Sequence, residues 1–205
     1  MSKHAAFKPR KSPRQTRSQA TVEALLEAGA RVLRGEGFEK ASVNRIADVA
    51  GVSIGSLYQY FPSKDALVAA IVKRHSERMI EVFHRDLFDF ARLPFDGAVR
   101  AIVRRTFEAY ALDPALRRII VDEVPQFGVY TRSRDFDTML AEALKAYFRF
   151  HEALVRPKNL DLAVKILMSS VEAIAQAVVV DDATMLSSEE LVEEVTHLVL
   201  GYIRA

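Results

Sequence analysis

The stretch "VAGVSIGSLYQYFPSKDAL", residues 49–67, joins two segments of helical periodicity through a single glycine. Gly51 ends the first segment, as glycine often does just past a helix. Ser53 precedes the second segment, where a hydroxyl can accept one of the unpaired backbone N–H groups of a new helix. The stretch therefore predicts two short helices, 43–50 and 54–60, connected by a tight turn.

The rest of the chain also predicts helices. Apolar residues recur at helical spacing, prolines and glycines separate the segments, and no segment shows the alternation of a strand. The further helices are expected at about 15–35, 63–90, 96–111, 114–125, 136–155 and 160–180, and after the capping-box sequence at 187–190. The sequence thus predicts an all-α protein of about nine helices.

Composition narrows the possible classes of protein. The chain has 205 residues, 50% of them hydrophobic, and no cysteine. This length allows one large domain or two small ones with a real core. The lack of cysteine excludes a disulfide framework and fits a reducing compartment such as the cytoplasm. Neither a run of about 20 apolar residues nor a secretory signal is evident, so no membrane association is expected.

The formal net charge of +2 conceals a difference between the two ends of the chain. Residues 1–80 hold 14 lysines or arginines and 7 acidic residues, and six of these cations lie in the first 20 residues. A basic arm before a folded segment is common in proteins that bind polyanions. A solvated, disordered tail explains the same charges. Charge alone leaves both interpretations of residues 1–15 open.

Two short helices joined by a glycine turn form a helix-turn-helix, whose second helix fits the major groove of DNA. Ser53, Gly55 and Ser56 are small, so this helix end can approach a groove closely and offer N–H groups to a phosphate. Tyr58 and Tyr60 carry hydroxyls that can bond phosphate oxygens. The segment therefore predicts contact with DNA.

The next helix begins with Lys64, where a cation is unfavourable against the helix dipole. Its position is understandable if an anion, such as a phosphate, binds there. For Tyr58 and Tyr60 the alternative is burial in the core, which is the role expected of Leu57 and Phe61.

The pattern "SVNRIADVAGVSIGSLYQYFPSKDALVAAI", residues 42–71, closely resembles the DNA-binding domain of the TetR family of transcriptional regulators. The motifs that carry the resemblance are Gly35 to Phe38, Ile46-Ala47, Ala50 to Ser53, Leu57 to Phe61 and Ser63 to Leu67. It covers about residues 16–75. Beyond them the likeness is architectural, namely a helical domain of the right length.

The resemblance implies a homodimer whose C-terminal domain binds a small molecule, which alters the spacing of the two DNA-reading heads. Most members are repressors, which implies release from a palindromic operator. The chain then divides into a disordered basic arm at 1–15, a helix-turn-helix domain at 16–62, a connecting helix at 63–90, and a ligand-binding and dimerisation domain at 91–205.

The resemblance also implies three groups of DNA-binding residues. Phosphate contacts correspond to Ser42, Tyr58, Tyr60 and Lys64. Base-reading positions correspond to Ile54, Gly55, Ser56 and Tyr58, with Ser53 at the start of the same helix as a further DNA-binding residue, and Asn44 and Arg45 correspond to positions where some members touch bases or phosphates. The basic arm, which would enter the minor groove or follow the backbone, contributes Arg14 and Arg17.

The last two helices each carry an apolar stripe. Small residues lie between the apolar ones, which permits close approach of helices, and two such helices from each subunit would form a four-helix bundle. The alternative is that both stripes complete the core of a single chain. The expected interface residues are Leu167, Val171, Ile174, Val178, Leu191, Val195, Leu198 and Tyr202.

The C-terminal half is also rich in aromatic residues and methionines. Such a set can line an apolar pocket with a few polar groups, the usual form of a small-molecule site, or it can simply be core. The expected effector is therefore a largely apolar small molecule. The candidate contacts are Phe107, Tyr110, Phe127, Tyr130, Met139, Tyr147 and Met168, with His151 and Glu172 as polar groups.

Two other classes of protein were weighed. The five histidines are scattered, and no zinc-protease, nucleophile-elbow or phosphate-loop motif occurs, so neither an enzyme, a metal site nor a cofactor is expected. A helical adaptor that uses its helix-turn-helix for protein contacts is the second alternative. The identity of the effector, the operator sequence and the choice between repression and activation stay open.

The sequence generates a first prediction. We expect Tyr58→Phe to weaken binding to all DNA duplexes to a similar extent, because a phosphate contact carries no base information. Changes at Ser56 should instead alter the preference among duplexes. Fluorescence anisotropy on a panel of duplexes measures both effects, and a Tyr58→Phe loss confined to one sequence would contradict the phosphate assignment.

Overall fold

The structure, a computed structural model, describes residues 16–84, 90, 92–124 and 134–205. The all-α prediction is confirmed, since these residues form nine α-helices and two short 3-10 helices and contain no strand. The α-helices are α1 (Thr16–Lys40), α2 (Val43–Ala50), α3 (Ile54–Tyr60), α4 (Lys64–His84), α5 (Phe95–Tyr110), α6 (Pro114–Asp122), α7 (Arg134–Phe150), α8 (Leu160–Asp181) and α9 (Glu189–Ile203). The 3-10 helices are Glu152–Leu154 and Ala183–Ser187.

Two helix ends differ from the sequence prediction. Helix α1 continues beyond Gly35, and its regular geometry is interrupted at Gly37, which has a φ of 75° and a ψ of 171°. Helix α7 ends at Phe150 rather than near residue 155. The backbone there tightens into a 3-10 turn, and Val155 then pairs with Arg204 in an isolated antiparallel bridge.

The chain divides into two compact units. The first comprises Met1–Ser76 and Ala115–Thr131, and the second comprises Glu77–Pro114 and Arg132–Ala205. This differs from the division expected from sequence, which placed all of 91–205 in one domain. The reason is that α6 turns its apolar side chains into the core of the first unit, namely Leu116, Ile119 and Ile120, followed by Val124.

The core of the first unit packs α1 against α2 and α2 against α3. Leu25, Ile46 and Leu57 are completely buried in it, and Phe61 is 1% exposed. On the edge of this core Arg74 of α4 donates hydrogen bonds to Glu23 (2.9 Å) and Glu27 (3.0 Å) of α1. Apolar packing and this ion pair together fix α1 against α4.

The core of the second unit forms where α5 packs against α8 and α9. Phe107 is completely buried at its centre, together with Val164 of α8 and Val195 of α9. Helix α9 is capped by Ser188, whose side chain accepts from the N–H of Leu191 at 3.4 Å, one residue later than the capping-box sequence suggested.

Helix α8 is long and predominantly apolar. Among the described helices it is the one long and apolar enough to cross a membrane by length and composition, with a mean hydropathy of 1.7 in its most apolar window. The sequence analysis, which looked for an unbroken apolar run, did not identify it, because Lys165 and Glu172 interrupt the pattern. The chain itself buries 28% of that window, so much of α8 remains uncovered.

An ion cluster joins α5 to α9 in the second unit. Arg104 donates to both carboxylate oxygens of Glu189, one of them at 2.6 Å, and Arg100 donates to Glu189 at 2.9 Å and to Glu193 at 3.2 Å. The hydrogen bond from Arg104 is the main cause that lowers the pKa of Glu189 from 4.5 to about 2.

A pH dependence of stability follows from this cluster. A lowered pKa in the folded chain means that Glu189 stabilises the fold above its ordinary pKa and loses that contribution as the pH falls from 4.5 towards 2. We expect Glu189→Gln to lower the thermal midpoint at neutral pH and to match the wild type near pH 2. Circular dichroism melts across this range measure the difference.

Glu190 provides the matched control, because it lies in the same first turn of α9. Glu190→Gln removes an equal charge near the same helix end without touching the arginines. Equal pH profiles for the two variants would show that the helix end, not the ion cluster, is responsible.

Candidate nucleic-acid interface

Helix α2 is held at both ends by local interactions. The Ser42 hydroxyl accepts a hydrogen bond from the N–H of Arg45 at 3.1 Å. Gly51 adopts left-handed backbone geometry with a φ of 64°, and its N–H bonds to the carbonyls of Ala47 and Asp48. Nothing lies within 4 Å of a Cβ built at Gly51. Glycine is therefore needed here for its backbone conformation and not for space.

Two serines lie at the start of α3, namely Ser53 just before the helix and Ser56 in its first turn. The Ser53 hydroxyl caps the helix by accepting from the N–H of Ser56 at 3.2 Å. The two hydroxyls also lie 2.9 Å apart in a hydrogen bond. Ser53 thus orients the Ser56 hydroxyl as well as starting the helix.

The two faces of α3 differ sharply in exposure. Leu57 is completely buried and Phe61, just past the helix, is 1% exposed, as the sequence predicted. On the opposite face no atom lies within 4 Å of a Cβ built at Gly55. Tyr58, beside that face, is 44% exposed, and Ile54, in the first turn, is 39% exposed. This face, which we call the α3 reading face, is open along the whole helix.

Sequence reasoning missed one member of this face. Gln59 is exposed one residue beyond Tyr58 and four residues beyond Gly55, so it lies on the same side of α3. Its amide is the type of group that pairs with an adenine edge in the major groove. The four-residue spacing between Gly55 and Gln59 could have identified Gln59 from the sequence. We therefore define the α3 reading face as Ile54, Gly55, Tyr58 and Gln59.

The other predicted DNA contacts are placed less uniformly. Tyr60 is partly buried and packs against the core of the first unit. Asn44 is exposed near the start of α2. Arg45 is exposed as well, but its Nε donates to Glu36 at 3.0 Å. Arg14 lies outside the described residues, and Arg17 lies in the first turn of α1.

Lys64 has a different environment from the one that the sequence analysis expected. No anion is needed to explain its position at the start of α4, because its ammonium donates to the carbonyl oxygens of Phe38 and Glu39 near the end of α1. The same ammonium lies 4.1 Å from the centroid of the Phe38 ring. The cation thus stabilises the end of α1 before any DNA is present.

Two of the predicted effector contacts belong to one aromatic cluster in the second unit. The Tyr147 ring stacks on Phe95 at 5.9 Å and lies 4.6 Å from the ring of His151. The Tyr147 hydroxyl is buried without a hydrogen-bond partner among the described residues. Burial raises the pKa of Tyr147, and the charge of Asp96 raises that pKa further.

The remaining predicted effector contacts are dispersed. Phe107 and Tyr110 are buried in the core of the second unit, and Met168 packs against that core. Met139 is 38% exposed on α7, and Glu172 bonds to Gln176 along α8 at 3.2 Å. The other two, Phe127 and Tyr130, lie outside the described residues.

The predicted dimer residues also separate into groups. Leu167 and Val195 are buried in the chain's own core, so they present little surface to a second copy, whereas Leu198 is 55% exposed. The remaining five are partly buried against that core, namely Val171, Ile174, Val178, Leu191 and Tyr202. The exposed stripe of α8 is instead formed by Leu162, Ile166, Ala173 and Ala177.

Lys64 provides a prediction about stability. We expect Lys64→Ala to lower the free energy of unfolding by about 1–2 kcal/mol, because the carbonyl hydrogen bonds and the cation–π contact are lost together. Urea denaturation measures the change. Lys40→Ala is the control, since it removes an exposed lysine near the same turn and should stay within about 0.5 kcal/mol of the wild type. Equal stability of the two variants would refute a structural role for Lys64.

Comparison with known proteins agrees with this geometry. The family model of bacterial regulatory proteins of the tetR family matches residues 25–71. A second model, described as the tetracyclin repressor-like C-terminal domain, matches residues 94–203, which is more than half of the chain. The first match contains the whole helix-turn-helix, and the second contains α5 to α9.

Individual proteins give the same result. The chain is 31% identical to the HTH-type transcriptional regulator UidR of Escherichia coli K12 over 115 residues, which are 56% of this chain and 55% of UidR. It therefore spans about half the length of the curated relatives it matches. The fold resembles that of a TetR-family regulator from Mesorhizobium loti MAFF303099, with a TM-score of 0.72 at 18% identity over 91% of this chain and 96% of the other.

The fold also resembles that of the fatty acid degradation regulator FadR from Bacillus halodurans, with a TM-score of 0.69 at 18% identity over 93% of this chain and 97% of FadR. At such identity the two structures show the fold alone, and the family models carry the assignment. The chain belongs to the TetR family of bacterial regulatory proteins.

Proposed function

We propose that this regulator is a cytoplasmic, homodimeric repressor. It binds a palindromic operator through α2 and α3, and a largely apolar small molecule that binds the second unit releases it from DNA. The observation that carries the proposal is the α3 reading face, which exposes two pairs of residues one helical turn apart, Ile54–Gly55 and Tyr58–Gln59, while Leu57 anchors the helix to the core.

The reading face combines two kinds of contact. Tyr58 offers a hydroxyl and an exposed ring, Gln59 offers an amide, and Gly55 leaves room for the backbone to approach a base edge. Phosphate contacts provide affinity and salt dependence, whereas base contacts provide specificity. A helix that carries both kinds on one face suits sequence-specific binding in the major groove.

The dimer proposal rests on α8. Its exposed stripe begins with Leu162, 52% exposed, and Ile166, 39% exposed, and continues with the small residues Ala173 and Ala177. A surface of this kind favours close helix packing against a second copy of itself. Leu198 of α9 is the exposed member of the predicted interface that completes such a bundle. A twofold dimer presents two reading faces, which accounts for a palindromic operator.

The effector proposal rests on the second unit and on the family. Most of this unit falls within the match to the family's C-terminal domain, residues 94–203, and its core contains several aromatic residues. The buried hydroxyl of Tyr147 lacks a partner among the described residues. An effector with an apolar body and one hydrogen-bonding group would suit such surroundings, because binding would satisfy the hydroxyl.

The experiment is selection of a randomised duplex library on the purified protein at moderate salt. We expect an enriched palindromic motif for the wild type and loss of that motif for Tyr58→Ala, because Tyr58 lies at the centre of the reading face. The recovered duplex then serves as the probe in a screen for small molecules that release the protein. A well-folded wild type that enriches no motif would refute the operator proposal.

A second variant tests the dimer separately. Ile166→Glu places a charge on the exposed stripe of α8 and should yield monomers that enrich only half-sites. Ala153→Glu introduces the same charge at an exposed position away from that stripe and should remain dimeric. Sedimentation measures the state of assembly, and an Ile166→Glu protein that sediments as the wild type does would contradict this interface.

A further inference from the structure

The last turn of α1, just past the kink at Gly37, is held from both sides by charged side chains. The backbone N–H of Phe38 donates to Oε2 of Glu123 at 2.6 Å. The carbonyl oxygen of the same residue accepts from Nζ of Lys64. We call this arrangement of Phe38, Glu123 and Lys64 the Phe38 clamp. Both backbone polar groups of Phe38, its N–H and its C=O, are thereby bonded to ions, which are stronger partners than neutral groups.

Gly37 is shaped to admit the carboxylate. Its φ of +75° is strained for any residue with a side chain, and a Cβ there would lie 3.0 Å from Oε2 and 3.3 Å from Oε1 of Glu123. Any other residue at this position would therefore have to displace Glu123 as well as adopt a strained backbone. Gly37 and Glu123 thus fit against each other although they are 86 positions apart in the sequence.

Glu123 is carried by a firmly packed support. Its own N–H bonds to the carbonyl of Ile119 at 2.9 Å, which continues the last turn of α6. The next residue, Val124, is 1% exposed, and Ile120 is 3% exposed in the core of the first unit. The carboxylate therefore projects from a fixed point and can hold a flexible turn in one position.

The clamp lies directly before the DNA-binding elements. Three residues separate Phe38 from Ser42, which caps α2. Ala41 among them is buried and bonds back to the carbonyl of Gly37 at 3.2 Å. Fixing the turn therefore fixes where α2 begins. The reading face depends on this, because α3 packs on α2.

We propose that Glu123 is a positioning residue for DNA binding, although it lies outside the helix-turn-helix and makes no contact with the reading face. It holds the last turn of α1 in the conformation that presents α2 and α3 to DNA. The inference rests on the DNA-binding role of α2 and α3 and extends it to α6. The segment of the chain that determines the operator-reading geometry is thus longer than the 25–71 motif.

The size of the effect follows from population arithmetic. If the turn without Glu123 is in the competent conformation for about a tenth of the time, the apparent affinity falls about tenfold. The number of phosphate contacts stays the same, so the salt dependence of binding should not change.

The sign of the effect distinguishes this proposal from bulk electrostatics. Removing an acidic residue from a DNA-binding protein generally strengthens binding, because DNA is a polyanion. Asp122→Ala is the matched control: it removes the same charge one residue earlier, and Asp122 pairs with Arg118 of the same helix at 3.5 Å. We expect Asp122→Ala to bind DNA as well as the wild type or slightly better, and Glu123→Ala to bind about tenfold more weakly.

Glu123→Gln tests the hydrogen bond itself, because the amide oxygen can still accept from Phe38 while the charge is lost. We expect it to restore binding to within about twofold of the wild type. The experiment measures dissociation constants for one duplex at several salt concentrations, with helical circular dichroism to verify that each variant folds. The proposal fails if Glu123→Ala binds as Asp122→Ala does, or if Glu123→Gln is as weak as Glu123→Ala.

Amide hydrogen exchange of the free protein gives a readout that needs no DNA. The Phe38 amide should exchange faster in Glu123→Ala than in the wild type and Asp122→Ala, while the buried amides of α4 around Val68 remain equally protected in all three. Unchanged exchange at Phe38 would overturn the clamp. Failure of the operator proposal alone, with no motif selected by the wild type, would leave this exchange difference in place.

Discussion

The burial of Leu57 and Phe61 is the constraint on which the DNA-binding head depends. A helix of seven residues is too short to be stable in water by itself, so α3 exists because these two side chains pin it to the core. Once Leu57 is completely buried, the geometry of the helix places Gly55 and Gln59 on the opposite side and Tyr58 beside them. Anchoring and exposure are consequences of one packing arrangement, and the reading face is as rigid as the core beneath it.

Charged side chains that bond to backbone groups stabilise the segments around the helix-turn-helix. Lys64 bonds the carbonyls at the end of α1, and Glu123 bonds the Phe38 N–H from the opposite side. Helix ends and turns leave such groups without partners inside the helix, and here two charged side chains from distant segments satisfy them. The end of α1 is thus held by one residue of α4 and one residue just past the end of α6.

In the second unit one apolar helix, α8, has a buried side and an exposed side. Helix α8 buries Val164 and Leu167 in its own chain and leaves Leu162 and Ile166 exposed. A hydropathy plot cannot distinguish these sides, since both contribute equally to its mean hydropathy. The ion cluster of Arg100, Arg104 and Glu189 ties α5 to α9 at the same time, which fixes the helices that flank α8 in this unit.

The sequence by itself determined the helices of the motif. The bounds of α2 and α3 follow from Ser42, Gly51 and Ser53, because caps and left-handed turns are interactions between residues only a few positions apart. The same short stretch predicted the burial of Leu57 and carried the family resemblance. Only the tertiary structure decided the partners of Lys64 and Glu123, the unit that α6 joins, and the side of α8 that stays exposed. Periodicity indicates which residues share a face of a helix but not which residues that face contacts. The Phe38 clamp joins residues 85 positions apart, so no local pattern could have indicated it.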